Sequence, residues 1–395
     1  MASQDILRED NSRSSFINDP KIRGMFFQVL VAVLLIGGIW WIVNNVIDNL
    51  HRSHIASGFG FLDSRAGFDI SQTPIAYNSD MTYGRALVVG FLNTLIVAAT
   101  GIVTATVIGF LVGIGRLSRN WLIRKLCTIY IEVFRNIPPL LVIFFWYFGV
   151  LSVLPMPRDS IELPFSTYLN NRGFYFPHAI WGEGSWLILV AFVVGVAMAW
   201  FVARRARQRQ MATGQTFPVF WTSLALIVGL PLLAFAASGF PVSFDLPKKS
   251  IFNLSGGLQV KPEFMSLYLA LSFYTAAFIA EIIRAGILGV SKGQTEASAA
   301  LGLRPAQILR LVVVPQAMRI VIPPLTSQYL NLTKNSSLAI AIGYPDLVAT
   351  GGTVLNQTGQ AIEIVVIWMI VYLGISLLTS AFMNWFNAKM ALVER

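Results

Sequence analysis

Residues 289–305 read Gly289-Val290-Ser291-Lys292-Gly293-Gln294-Thr295-Glu296-Ala297-Ser298-Ala299-Ala300-Leu301-Gly302-Leu303-Arg304-Pro305, a polar stretch set between two long apolar ones. Ser291 and Gln294 stand at the spacing of a capping box, and the small residues Ala297 to Ala300 permit close packing. Gly302 suits a helix C-terminus, and Pro305 suits the first turn of the next helix. The stretch is therefore expected to be a short stiff helix joining two membrane spans. A soluble loop or an amphipathic interfacial helix would carry the same local signals, so its flanks must decide.

Outward from this stretch the chain is 55% hydrophobic and only 12% charged, with a mean hydropathy of +0.65. Ordinary soluble domains carry about 25% charged residues, so most of this chain must face lipid or other helices. A bilayer core of about 30 Å takes about 20 residues at the helical rise. Charge-poor segments of that size fall at 25–47, 86–115, 126–154, 185–203, 216–240, 264–288, 318–342 and 363–387. The expected fold is an all-α integral membrane protein with about eight transmembrane helices.

The formal net charge of +10 does not describe a nucleic-acid-binding face, because the cations sit in alternate short loops. Arg116, Arg119, Arg124 and Lys125 form one group; Arg204, Arg205, Arg207 and Arg209 a second; Lys292, Arg304, Arg310 and Arg319 a third. The positive-inside rule places these loops and both termini, with Lys389 and Arg395, in the cytoplasm. The opposite loops near 48–85, 155–184, 241–262 and 343–362 balance their charges and are rich in Pro, Gly, Asn and aromatic residues, which places them outside.

The expected organisation is a polar tail over 1–24, an extra span over 25–47 that lacks a signal-peptide cleavage site, and an external loop over 48–85. A first part of the core covers 86–154, an insertion with a membrane hairpin covers 155–262, and the second part of the core covers 263–390, with its cytoplasmic loop at about 289–315. Polar residues concentrate in the five spans beginning near 86, 126, 264, 318 and 363, and these make the working core. Cys127, the single cysteine, excludes an internal disulfide and reads as a small buried hydrophobe. His51, His54 and His178 fall in external loops; His51 and His54 read as solvated, with a metal pair as the alternative, and no metal or catalytic site is expected.

Two core spans share Glu-x-x-Arg, as Glu132 to Arg135 and Glu281 to Arg284, and residues three apart on a helix can pair. Either these are structural ion pairs, or a glutamate, Glu281 above all, meets a substrate ammonium. Asn331, Lys334, Asn335, Ser336 and Ser337 interrupt an apolar span, and Pro323-Pro324 and Gly343-Tyr344-Pro345 can break or bend it. A broken helix exposes backbone groups able to hold a zwitterion. Gln328, one turn before Asn331, and Tyr274, seven residues before Glu281, complete the pathway candidates, with core hydrogen bonding as their alternative role. Asn93 and Thr94 read as packing groups between helices.

From Glu296-Ala297 through Gly302 to Val312-Val313-Val314-Pro315, the chain resembles the EAA loop of ABC-importer permeases. The resemblance extends to Gly90, Thr94 and Leu95, to Arg116-Leu117-Ser118, to Tyr130-Ile131-Glu132-Val133-Phe134-Arg135-Asn136-Ile137-Pro138 and to Ala280-Glu281-Ile282-Ile283-Arg284. It continues through Pro315-Gln316-Ala317 and Lys334-Asn335-Ser336-Ser337-Leu338. Together these motifs resemble the polar amino-acid ABC permease family, a five-helix type I importer core, in its enlarged general L-amino-acid form. Ser298 replaces the second alanine of the loop motif, and Phe278 stands where tyrosine is usual.

The resemblance assigns Ser291, Gln294, Glu296, Ala297 and Gly302 to coupling with a cytoplasmic ABC ATPase dimer. ATP and Mg would be used there, since this chain has no Gly-Lys pair and hence no phosphate loop; it is not expected to be an enzyme or to bind a cofactor itself. A periplasmic amino-acid-binding protein, an L-amino-acid substrate and a second permease subunit are implied partners, in the bacterial inner membrane. The extra span and the insertion favour a heterodimer over a homodimer. An ion-coupled secondary transporter is the alternative class, and it leaves the segment from Gln294 to Pro315 unexplained.

Overall fold

The computed structural model describes residues 20–52, 57–250 and 253–390. Most of the expected polar tail, together with His54 and Arg395, lies outside the described residues. Helix α1, Pro20–Arg52, opens inside the segment assigned to that tail and presents apolar residues on every face. Such a helix has to be covered by lipid or by another chain.

Helix α2 is Tyr83–Arg116, started by the Thr82 hydroxyl, which accepts the Arg85 N–H at 3.3 Å. Helix α3, Trp121–Asn136, is capped by the Asn120 side chain, and α4, Pro139–Phe144, continues through a wide turn over Phe145–Leu151. Sequence alone suggests one span over 126–154; instead α3 and α4 meet at a bend of 110°. The cause is Pro138-Pro139, which removes two consecutive N–H donors and forces Ile137 out of the helical region, to ψ 134. Cys127 on α3 is half-buried rather than buried.

The insertion is not irregular loop. Strands β1 (Ile161–Leu163), β2 (Thr167–Asn170) and β3 (Gly173–Phe176) form an antiparallel meander. Beyond it come β4 (His178–Trp181), the hairpin helices α5 (Trp186–Thr213), α6 (Val219–Leu224) and α7 (Leu230–Ala237), and β5 (Val242–Asp245), which pairs with β4. A short ladder of β6 (Lys248–Lys249) with β7 (Leu254–Ser255) follows, and then β8 (Leu258–Val260) returns to pair with β3. Alternating residues such as Phe174 and Phe176, whose ring centroids lie 5.8 Å apart, give the period-two pattern of a strand.

The second part of the core holds α8 (Pro262–Leu288), α9 (Lys292–Ala300), α10 (Pro305–Ile308), α11 (Val314–Asn335), α12 (Leu347–Thr358) and α13 (Ala361–Met390). Helix α11 runs unbroken through Pro323-Pro324, contrary to the expectation of a break there. The irregular turns fall on either side instead: a wide turn over Leu309–Val313, and a tight 3-10 segment over Ser336–Ile342 that ends at Gly343 with φ +75°. Neighbouring helices tolerate proline in a membrane helix by re-satisfying its freed carbonyls. Arg319, grouped by sequence with the loop cations, lies within α11.

Seven described helices are long and apolar enough to cross a membrane, and the bent α3–α4 pair makes an eighth if it counts as one span. At the centre α2 lies against α8. A Cβ on Gly109 would stand 2.5 Å from Ile279 Cγ2, and one on Gly113 2.7 Å from the Ala280 carbonyl, so the two backbones meet only because these positions carry no side chain. Val97, Ala105, Leu267, Leu271, Ile279, Val321 and Leu332 close the core around this contact.

Candidate translocation and coupling site

Helix α9 begins after Ser291, but the anticipated capping box does not form there, since no side chain caps this end. Gln294 instead accepts from Gln316 Nε2 at 3.3 Å, tying α9 to the start of α11. One half of that arrangement appears one helix later, where Gln307 Oε1 accepts the Arg304 N–H at 2.9 Å. At the other end Gly302, at φ +77°, donates to Ala299 O at 2.9 Å, while Leu303 N–H reaches Ser298 O at 3.3 Å. These are the two bonds of a Schellman motif. Ser298, the departure from the usual alanine, is buried and donates its hydroxyl to Gln294 O at 2.6 Å. Gln294, Glu296 and Ala297 remain exposed, and Leu301 presents 82% of its surface. The result is a stiff, capped helix projecting an uncovered face.

Behind it, four charged residues from three helices gather at the end of the core where α8 leads into α9. Arg284 on α8 bonds Glu281 with Nη2 at 2.5 Å and Nε at 3.1 Å, the pairing that Glu-x-x-Arg suggests. Arg116, the last residue of α2, bonds the same carboxylate from the other side and reaches Glu132 on α3 at 3.6 Å. Glu132 therefore pairs with Arg116 and not with Arg135, whose guanidinium lies over the Phe278 ring at 5.7 Å. In the sequence Arg116 is legible as a loop cation and as part of the Arg116-Leu117-Ser118 motif, but not as a partner of either glutamate. The bend after Asn136 and the tight α2–α8 contact bring it between two glutamates that are distant in sequence.

Of the pathway candidates, Asn331 and Lys334 are exposed, Gln328, Asn335 and Ser337 are half-buried, and Ser336 is buried. The Ser336 hydroxyl donates to Thr333 O and that of Ser337 to Lys334 O, each at 2.7 Å, so both close the end of α11. Tyr274 packs its ring on Phe278 at 5.1 Å, and Glu281 belongs to the ion cluster; neither joins the α11 group. Pro324, Ser327, Asn331 and Lys334 form one exposed row at i, i+3, i+7 and i+10 along the opposite side from buried Leu325 and Leu332. Sequence reasoning omits Ser327, although its four-residue spacing to Asn331 is available there.

At the opposite end of the core, the turn after the 3-10 segment locks α12 onto α2. Asn93 Nδ2 donates to Pro345 O and Gln72 O, each at 2.9 Å, and Thr94 Oγ1 accepts the Leu347 N–H at 3.1 Å, the packing role read from sequence. Gly90 permits this approach, because a Cβ there would stand 2.8 Å from Asp346 O. Asp346 caps α12 by accepting the Ala349 N–H at 2.8 Å, and it is wholly buried. Burial pushes its carboxyl up to about 6, against the lowering effect of the Ala349 and Val348 N–H groups. Beside this turn, Phe68 to Ser71 of the segment before α2, with Gly343, Pro345 and Ala349, line an open cavity of about 430 Å³.

The family described as binding-protein-dependent transport system inner membrane component matches residues 195–392. The general L-amino acid transport system permease protein AapQ of Rhizobium johnstonii is 68% identical, covering 96% of this chain and 95% of that protein. The putative amino-acid ABC transporter permease protein YhdX of Escherichia coli K12 is 51% identical, with 96% and 97% covered. The glutamate/glutamine/aspartate/asparagine transport system permease protein BztB of Rhodobacter capsulatus is 41% identical, with 97% of each chain covered. A solved amino acid ABC transporter crystallised with histidines aligns at a TM-score of 0.47 and 19% identity, over 78% of this chain and 95% of that one. With that family model matching half of its length and a relative 68% identical over 96% of it, this multi-span helical chain belongs to the family of binding-protein-dependent transport-system inner-membrane components.

Proposed function

We propose that the chain is one permease subunit of an ABC importer for amino acids, and that the Ser327, Asn331 and Lys334 face of α11 lines the translocation path. The observation that carries this is the exposure of a hydroxyl, an amide and an ammonium along one side of a helix within the Pro305–Ile342 span. A lysine at the bilayer centre costs about 2.5–3.5 kcal/mol, so such a row belongs against a water-filled cavity or another protein chain. The names of the relatives at 68%, 51% and 41% identity support amino acids as the cargo. Lys334 offers a fixed cation for the substrate carboxylate, and the side-chain oxygens of Ser327 and Asn331 offer acceptors for its ammonium.

The second wall of the path comes from another permease subunit, and the extra span α1 and the α5–α7 hairpin favour a differently built partner. Exposed Gln294, Glu296, Ala297 and Leu301 dock into cytoplasmic ATPase subunits, where ATP and Mg are used; this chain supplies the path and not the hydrolysis. ATP-driven approach of those subunits moves α9 as a rigid body, and its bond through Gln316 passes the motion to α11. The external loops receive a periplasmic binding protein, and the termini lie in the cytoplasm of a bacterial inner-membrane assembly. Nothing in the family membership supports ion-coupled secondary transport.

The test is uptake into proteoliposomes by the complete importer with its binding protein. Asn331→Leu and Lys334→Met are each expected to lower uptake about tenfold, the equivalent of one charge-assisted or buried hydrogen bond, with subunit assembly intact. Unchanged uptake and KM in both variants would remove α11 from the path.

A further inference from the structure

Between Glu183 and Asp245 the chain has no acidic residue, lysine or histidine, and its whole charge is Arg204, Arg205, Arg207 and Arg209. All four are exposed on α5, and none lies in its last turn, so the helix macrodipole does not account for them. At 100° per residue the four divide into two pairs, Arg205 with Arg209 and Arg204 with Arg207, on different sides of the helix. Topology asks only for cations on the cytoplasmic side; it does not ask for this pairing.

Each pair faces its own groove. Arg205, Gln208 and Arg209 line an open one of about 630 Å³, whose remaining wall is apolar: Phe201, Val202 and Phe217. Arg209 is oriented by donating from Nη2 to Gln215 Oε1 at 2.9 Å, and the Arg205 guanidinium lies over the Phe201 ring at 5.3 Å. Stacking and a single neutral partner leave most donors of both guanidinium groups free. The apolar wall runs on without interruption along α5 toward the bilayer interior, through exposed Met198 and Val194. Trp200 and Trp221, 62% and 68% exposed, mark the level of the interface.

We propose that this groove binds the phosphate headgroup of an anionic phospholipid of the cytoplasmic leaflet, with Arg205 and Arg209 on the phosphate and an acyl chain along the Phe201 wall. The site is charged at one end and apolar at the other, along the direction in which a phospholipid is itself charged and then apolar. An acidic protein surface would answer the arginines but not the apolar wall. Helix α5 packs chiefly against α6, the wide turn after it and α7, so the lipid site stands apart from α9 and from the α11 row. It would hold the hairpin at a fixed depth beside the permease core.

The experiment uses the purified importer complex, delipidated in detergent and titrated with phosphatidylglycerol or with zwitterionic phosphatidylcholine, with bound lipid read by native mass spectrometry. Wild type is expected to retain phosphatidylglycerol in preference to phosphatidylcholine, and more weakly as salt rises. Each arginine contributes about fivefold, so Arg205→Gln with Arg209→Gln should weaken phosphatidylglycerol binding about 25-fold. Equal retention of the two lipids by wild type would overturn the proposal, and this comparison holds even where the double variant fails to assemble. Unchanged lipid affinity in an assembled double variant would overturn it too; a double variant that binds phosphatidylglycerol as wild type does but no longer co-purifies the ATPase subunits would assign the arginines to a protein contact instead.

Discussion

Replacing Asp346 with asparagine should remove a pH dependence from the stability of the core where α12 packs on α2. The carboxyl is wholly buried, and burial raises it from 3.8 to about 6 in the folded chain. A raised value means that the folded state holds a proton the unfolded state has released. The stabilising contribution of the neutral acid is therefore complete below pH 3.8 and is lost as pH rises through about 6. The displacement of roughly two units corresponds to about 3 kcal/mol of stability lost between pH 4 and pH 7. The Asp346→Asn variant would keep the cap, because the amide oxygen accepts the Ala349 N–H as well as a carboxylate does, and the amide nitrogen can donate to the Tyr372 hydroxyl, which lies 3.5 Å from Asp346 Oδ2. Thermal unfolding of both proteins in the same detergent, from pH 4 to pH 7.5, isolates this group as the difference between two curves. Curves that stay parallel across the range would refute the assignment of a strained buried carboxyl at this turn.

Three further outcomes follow from the same geometry. Glu281→Gln leaves Arg116 and Arg284 facing each other across a neutral group, and should cost about 1–3 kcal/mol in detergent unfolding, discounted for partial exposure of the cluster; adding Arg116→Gln should recover part of the loss. Gly109→Leu puts a Cβ 2.5 Å from Ile279 Cγ2 at the α2–α8 crossing, and overpacking there should cost about 1–3 kcal/mol or more, read as loss of the monodisperse peak in size-exclusion chromatography. Glu296→Lys alters only an exposed face of α9, so membrane insertion and unfolding should be unchanged while substrate-stimulated ATPase activity of the assembled importer falls; undiminished stimulation would exclude this face from coupling.

The number of spans and the short helix closed at Gly302 are legible in the sequence because each rests on a local signal: apolar length, or Gly302 and Pro305 at a helix boundary. What sequence did not give depended on distant partners. Glu132 and Arg135 have the right helical spacing, yet the guanidinium of Arg116 competes for the glutamate once α2, α3 and α8 are packed. Pro323-Pro324 looks like the break in α11, whereas the helix continues through both prolines and the irregular turns settle at Leu309–Val313 and Ser336–Ile342. The strands of the insertion were hidden because β3 and β8 are separated by the whole hairpin, and pairing over that distance leaves little trace in a local reading.

That pairing has a consequence for how the chain is built. Phe176 and Leu258 are register partners, and just inside them His178 faces Asp245, so the segment between is zipped shut at its base like a stem-loop. Backbones at such antiparallel positions lie about 5 Å apart, a gap that a two-residue turn can bridge. The segment thus leaves and rejoins the importer at one seam, and a gain or loss of some eighty residues there amounts, for the translocating helices, to exchanging one hairpin tip for another.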